Sequence, residues 1–271
     1  MAIVAPIGRG IKLTHVWHKA ICWRTNRVDG TCHPPVGSET GSTSHSQKVD
    51  QLFGAIAERY DLVNDIQSLG LHRVWKRRLL SLAKVREGEM VLDLCCGTGD
   101  LIIGLAKSGG TLLGVDFNRP IIRKAAVRLA ERKRRRISLA QADALQLPLR
   151  GGSFDVVTIA YGLRNLADIG TGLREITRVL KPGGRLLILD FGKPANPIIR
   201  RAYFLYLAWM LPVFGRLFCG NASAYAYILN SLKNYPAQKG VATALASLDY
   251  EPVRVMNIMC GAMSIHIAVK Q

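Results

Sequence analysis

The stretch VLDLCCGTGD at 91–100 sets an apolar run, interrupted by Asp93, against two adjacent cysteines and a Gly97-Thr98-Gly99 turn. Such a run reads as a strand, and glycines directly after it let the backbone turn sharply while passing close to a ligand. Outward from it the pattern repeats. Apolar strand candidates at 90–95, 111–116, 137–142, 154–160 and 185–190 alternate with helical stretches at about 99–108, 118–134 and 169–180. Strands apolar along their length and interleaved with helices predict an α/β fold: a doubly wound, mostly parallel sheet covered on both faces. A last helix near 237–248 precedes VRVMNI (253–258) and SIHIAV (264–269), whose short connection predicts an antiparallel C-terminal pair.

In such a fold, ligands sit beyond the carboxyl ends of the strands, facing the turn after the first one. A dinucleotide fingerprint needs a third glycine at position 102, which is Ile102, and no Gly-Lys-Ser/Thr of a phosphate loop follows. The next strand ends in Asp116, 19 residues after Gly97, where a carboxylate accepts both hydroxyls of a ribose. Asp143 follows the third strand, in place for an adenine amino group. The pattern predicts an adenosine without a diphosphate, and S-adenosylmethionine is the common cofactor of that kind. Neighbours in sequence, Cys95 and Cys96 are poorly placed to bridge each other, so they read as small loop residues.

The chain has 271 residues and a net charge of +18. About +4 of this falls in residues 1–48 and +14 in the remainder, so the folded part is itself basic. That favours an anionic partner, either nucleic acid or a membrane surface, or serves solubility alone. Six cysteines at 22, 32, 95, 96, 219 and 260 form no C-x-x-C pair, which argues for a reducing compartment without a disulfide framework or zinc finger. His15, His18, Cys22, Cys32 and His33 match no common metal spacing, and no metal is expected. Residues 1–48 end in VGSETGSTSHSQ and are expected to be a disordered extension; a transit peptide and an early start codon are alternatives. Residues 49–271 form the predicted domain. It opens with two or three short helices over 49–83 and carries an insertion at 194–235. The longest apolar run, AYFLYLAWMLPVF (202–214), is too short to span a bilayer and is broken by Pro212.

Taken in order, VLDLCCGTGD, GVDFN (114–118), QADALQLP (141–148), FDVVTIAYGLRN (154–165) and RVLKPGGRLLILDF (178–191) resemble the motifs of class I S-adenosylmethionine-dependent methyltransferases. FGAIAERYDLVNDIQSLGLHRVWK (53–76) and YGLRNLAD (161–168) narrow the resemblance to the C-methyltransferases of menaquinone and ubiquinone biosynthesis. The resemblance implies a Rossmann-like fold, with S-adenosylmethionine contacts at Thr98, Asp116, Asp143 and Ala144 and a loop shaped by Asp93, Gly97 and Gly99. It also implies a membrane-resident polyprenyl quinol as substrate: demethylmenaquinol by preference, with a ubiquinone-pathway benzoquinol or dual specificity as alternatives. Two departures, Ala160 where some members carry serine and LDYEPVRV (248–255) where Gly-Phe is usual, bear on one cofactor contact and on substrate choice.

Methylating a quinol carbon requires the adjacent hydroxyl to lose its proton, which raises electron density on the ring. Arg164 follows the fourth strand at the ligand edge; it stays protonated, so its expected work is to stabilise a phenolate or orient a water. A structural pairing with a nearby carboxylate such as Asp168 is the alternative. Tyr161 and Asn165 are further candidate catalytic residues, and Asp61 and Asn64 could cap the pocket. NPIIRRAYFLYLAWMLPVFGRLFCG (196–220), apolar and flanked by arginines, suits an interfacial helix or lid, or else a buried core helix. These features predict a cytoplasmic enzyme peripheral at the inner face of an anionic membrane, with self-association left open. The rival class is RNA methylation, suggested by KAAVRLAERKRRR (124–136). That run falls on a helix expected against a sheet face and lacks aromatics for base stacking, so no nucleic-acid partner is expected.

Overall fold

The computed structural model describes residues 3–4, 65, 68, 70–132, 136–214, 229 and 231–271, with the backbone alone at 3, 4, 211, 213 and 214. Of the predicted helical run 49–83, most of 49–70, and with it Asp61 and Asn64, lies outside the described residues. One sheet organises the rest. After a two-residue strand β1 (Ile3–Val4) come α1 (Leu71–Ala83), β2 (Met90–Leu94), α2 (Asp100–Leu105), β3 (Thr111–Asp116), α3 (Arg119–Glu131), β4 (Ile137–Gln141) and β5 (Phe154–Ala160). Then follow α4 (Ile169–Val179), β6 (Leu180–Phe191), α5 (Pro197–Phe214), α6 (Ala237–Ala246), β7 (Tyr250–Ile258) and β8 (Met263–Lys270).

The strand order is β1-β4-β3-β2-β5-β6-β8-β7. Strands β4, β3, β2, β5 and β6 run parallel, β8 is antiparallel to both β6 and β7, and β1 is antiparallel to β4. The period-two alternation of strand side chains fills two apolar layers. Leu92, Leu94, Val157, Ile159, Leu186 and Ile188 face Leu173, Ile176, Val241 and Leu245 of α4 and α6. Val91, Val156, Leu187 and Leu189 face Leu79 of α1, Ile102 of α2 and Ile122 and Leu129 of α3.

Strand β6 starts five residues earlier than the predicted 185, because Leu180 pairs with Phe154 before the register shifts to Val156 opposite Arg185. Lys181-Pro182-Gly183-Gly184 is thus an irregularity inside the ladder, not the turn its composition suggests. Near the other edge, Ile3 and Val4 of the N-terminal segment pair with Ala140 and Leu139.

Candidate active site

Strand β2 leads to β3 on one side and β5 to β6 on the other, so the crevice beyond the carboxyl ends of β2 and β5 is where a ligand sits in an open α/β sheet. The residues there take conformations that few positions in a chain adopt. Cys95 has φ 54° and Gly97 φ 56°, and Tyr161, just after β5, has φ 61°. Gly162 is the one residue that fits between them: a Cβ on it would lie 2.4 Å from Cys95 Cβ. Gly97 N donates to Asp116 Oδ2 at 2.8 Å, and Asn118 N donates to Oδ1 at 3.0 Å. One carboxylate thereby joins the glycine loop to the end of β3. A cleft of about 820 Å³, its open mouth included, runs along these strand ends.

Of the predicted residues, Gly97, Asp116, Asp143, Ala144, Tyr161 and Asn165 line the cleft, whereas Asp93, Thr98, Gly99 and Arg164 are not in its wall. Asp93 is buried under the loop and accepts from Thr158 Oγ1 at 2.8 Å; burial pushes its pKa up to about 7. Thr98 is also buried, and its carbonyl accepts from Arg128 Nη1 at 2.9 Å. Gly99, at φ 85°, caps α2. Asp143 Oδ1 accepts from Leu145 N at 2.9 Å, which holds the carboxylate at the cleft rim. Burial, with the negative charges of Asp116 and Asp93, pushes both Cys95 and Cys96 thiols well up, so neither is a thiolate. Among the described residues, no group of His, Cys, Asp or Glu is arranged to hold a metal.

Arg164 sits on the turn after β5, and its carboxylate partner is Asp190 at the end of β6. Asp168, the neighbour suggested by sequence, instead caps α4 by accepting from Gly170 N at 2.9 Å and from the Thr171 hydroxyl. Arg164 Nη1 donates to Asp190 Oδ1 and to Tyr161 O, both at 2.9 Å, while its backbone N donates to Asp190 Oδ2 at 3.2 Å. The guanidinium lies 4.5 Å from the Phe191 ring centroid. Asn165 Nδ2 donates to the same Tyr161 carbonyl at 3.1 Å. Asp190 was missed in the sequence although it carries the signal that found Asp116, a carboxylate closing a strand at the ligand edge. Lys76 and Arg128 were missed as well. They flank Asp100 at 3.1 and 2.6 Å, and their charges outweigh its burial and draw its pKa down to about 2.

A nucleoside cofactor without a diphosphate fits this cleft. Gly97 leaves the loop backbone bare, Asp116 is oriented by two amides at the wall, and Phe117 and Asn118 continue the same surface. The family model described as the ubiE/COQ5 methyltransferase family matches residues 42–270. A ubiquinone/menaquinone biosynthesis C-methyltransferase of Azotobacter vinelandii is 38% identical over 83% of this chain and 90% of its own. A demethylmenaquinone methyltransferase of Staphylococcus aureus is 34% identical over 84% of this chain and 95% of its own. Among solved structures, an S-adenosylmethionine-dependent methyltransferase from Aquifex aeolicus covers 72% of this chain and 89% of its own at 18% identity, with a TM-score of 0.54.

Proposed function

Because this chain belongs to the ubiE/COQ5 methyltransferase family, whose methyl donor is S-adenosylmethionine, we propose that it C-methylates a polyprenylated quinol, and specifically demethylmenaquinol. The observation that carries the ring assignment is the pair of names among the relatives: both speak of menaquinone and only one of ubiquinone. The bound donor supplies an electrophilic methyl on sulfur. The chain's own residues do the rest. Asp116 and Asp143 orient the adenosine, and the loop they border sets the direction from which the methyl meets the ring, so alignment provides much of the acceleration. Arg164, held by Asp190 and the Tyr161 carbonyl, keeps its charge and stabilises the ring oxygen as it becomes anionic. Tyr161 and Asn165 border the quinol on the cleft side.

The quinol's tail lies in lipid, and α5 is suited to meet it there. Tyr203, Leu207 and Met210 turn inward onto Phe191 and Leu232. The opposite face exposes Ile198 (78%), Leu205, Tyr206 and Trp209 (71%), beside the exposed Arg200 and Arg201. Aromatic and aliphatic side chains next to arginines suit the boundary of an anionic leaflet. Among the described residues, no helix is long and apolar enough to cross a membrane. The RNA reading has less support, since α3 buries Ile121, Ile122, Ala125 and Leu129 in the core and presents its N-terminus, not its basic end, toward the cleft. The test supplies labelled donor with demethylmenaquinol, a benzoquinol and bulk RNA in parallel. Label in the naphthoquinol supports the proposal, label in the benzoquinol alone moves the enzyme to the other pathway, and label in RNA alone discards it.

A further inference from the structure

The last residue of β6, Phe191, joins three parts of the molecule. Its backbone N donates to Asp190 Oδ1 at 2.8 Å, the same oxygen that accepts from Arg164 Nη1 at 2.9 Å. The Arg164 guanidinium lies over its ring, 4.5 Å from the centroid. The Tyr161 ring, in the wall of the cleft, meets it edge-on at 6.1 Å with the two planes 63° apart. Phe191 also packs against the cluster of Leu207, Met210 and Leu232, which ties it to α5. Pairing of its backbone with Met263 of β8 and these contacts on several sides hold the ring in one place.

Arg164 needs such a brace. Its side chain is 10% exposed, and Nη1 alone carries its hydrogen bonds, to Asp190 and to the Tyr161 carbonyl. Nε is buried without a hydrogen-bond partner among the described residues. A guanidinium held at one nitrogen, on a flexible stem, can still tilt about that anchor. The Phe191 ring removes that freedom, since a cation is drawn to the negative face of an aromatic ring and a planar one stacks on it. Buried donors are ordinarily satisfied, so an unpaired edge on a fixed cation marks a place for an oxygen that develops negative charge.

We infer that Phe191 is a positioning residue for methyl transfer: its ring holds the Arg164 guanidinium in the plane from which the unpaired edge meets the substrate oxygen. The inference rests on the quinol reading above, and in it Phe191 acts only through Arg164. The gain is preorganisation, because a cation already aimed does not have to move when the oxygen ionises. The same ring extends a line of contacts from α5 to Arg164. The helix that meets lipid and the charge that acts on the quinol thus share one aromatic side chain. Leucine at 191 keeps an apolar side chain against α5 and removes the aromatic face, so it isolates the contact with the cation.

A double-mutant cycle in the full-length protein tests this. Phe191→Leu should lower single-turnover methylation of demethylmenaquinol about 10-fold, the scale of a desolvated cation–π contact, and leave the donor Kd within about twofold. Phe191→Tyr, which restores the aromatic face, should recover most of the rate. In an Arg164→Ala background, followed with labelled donor because the rate is low, Phe191→Leu should cost almost nothing more, since the group it positions is gone. Phe191→Met, which also lacks a face, takes its place in the cycle if the leucine variant does not fold. An equal loss in both backgrounds, no rescue by tyrosine, or a wild-type rate without the ring would each overturn the assignment. If the wild type methylates no quinol at all, the functional reading falls and the positioning role with it.

Discussion

Asp116 carries two duties that one substitution removes together. Its carboxylate is the expected ribose acceptor, and it also fixes Gly97 and Asn118 through their backbone amides. Asp116→Ala should weaken donor binding by at least about 10–100-fold, from about 1.5–3 kcal/mol for each lost bond to a charged acceptor; calorimetry returning the wild-type Kd would sink the assignment. Arg164→Ala should behave in the opposite way, lowering turnover sharply while the donor Kd stays within about twofold, because its charge acts on the transition state. Asp93 makes a prediction about pH. Its folded pKa is near 7 against 3.8 unfolded, so the native state holds the extra proton between those values. Stability therefore falls as pH rises from about 4 to 7, by up to about 1.4 kcal/mol per pH unit. Asp93→Asn still accepts from Thr158 but cannot ionise; denaturation across that range should show the wild type losing ground to it, and parallel curves would refute the assignment. That Asp116 closes a strand at the cleft could be read from sequence because a strand end is a local feature. The Arg164–Asp190 pair spans 26 residues and depends on β5 lying beside β6, which no spacing rule conveys, so the nearer Asp168 drew the pairing instead.

At the scale of elements, the strands were legible because a parallel sheet writes them as apolar runs between glycine turns. The clamp that holds the glycine loop was not. Arg128, three turns along α3, donates to Thr98 O and pairs with Asp100 on α2, while Lys76 of α1 reaches Asp100 from the other side. Three helices thus meet at one carboxylate beneath the glycine loop. In sequence, Arg128 is one more cation in a basic run. Arg128→Leu should free the loop carbonyl and leave Asp100 with Lys76 alone. The expected result is a donor Kd raised several-fold, a loss of about 1–2 kcal/mol in stability, and a wild-type turnover number at saturating donor. A variant with unchanged donor affinity would show that the clamp is not needed for the loop.

For the molecule as a whole, charge and shape act together. A chain of net charge +18 with Trp209 and Ile198 projecting from one helix should float with liposomes that contain anionic lipid and detach as salt rises, since exposed charges are screened over ~8 Å at physiological ionic strength. Binding to neutral vesicles that persists in high salt would assign the contact to the apolar face of α5 alone. The order of the sheet has a consequence in time. Strand β6 is complete at Phe191, yet its outer neighbour β8 begins only at Met263, so residues 192–262 are made in between. At a synthesis rate of ~5–20 residues per second, β6 waits about 4–14 s with a row of unpaired amides and carbonyls at its edge. The chain emitted during that wait includes α5, an apolar helix of 18 residues. On the ribosome the nascent sheet is thus a half-built surface open to any strand that finds it first, and β8 must reach that edge before a neighbouring chain does.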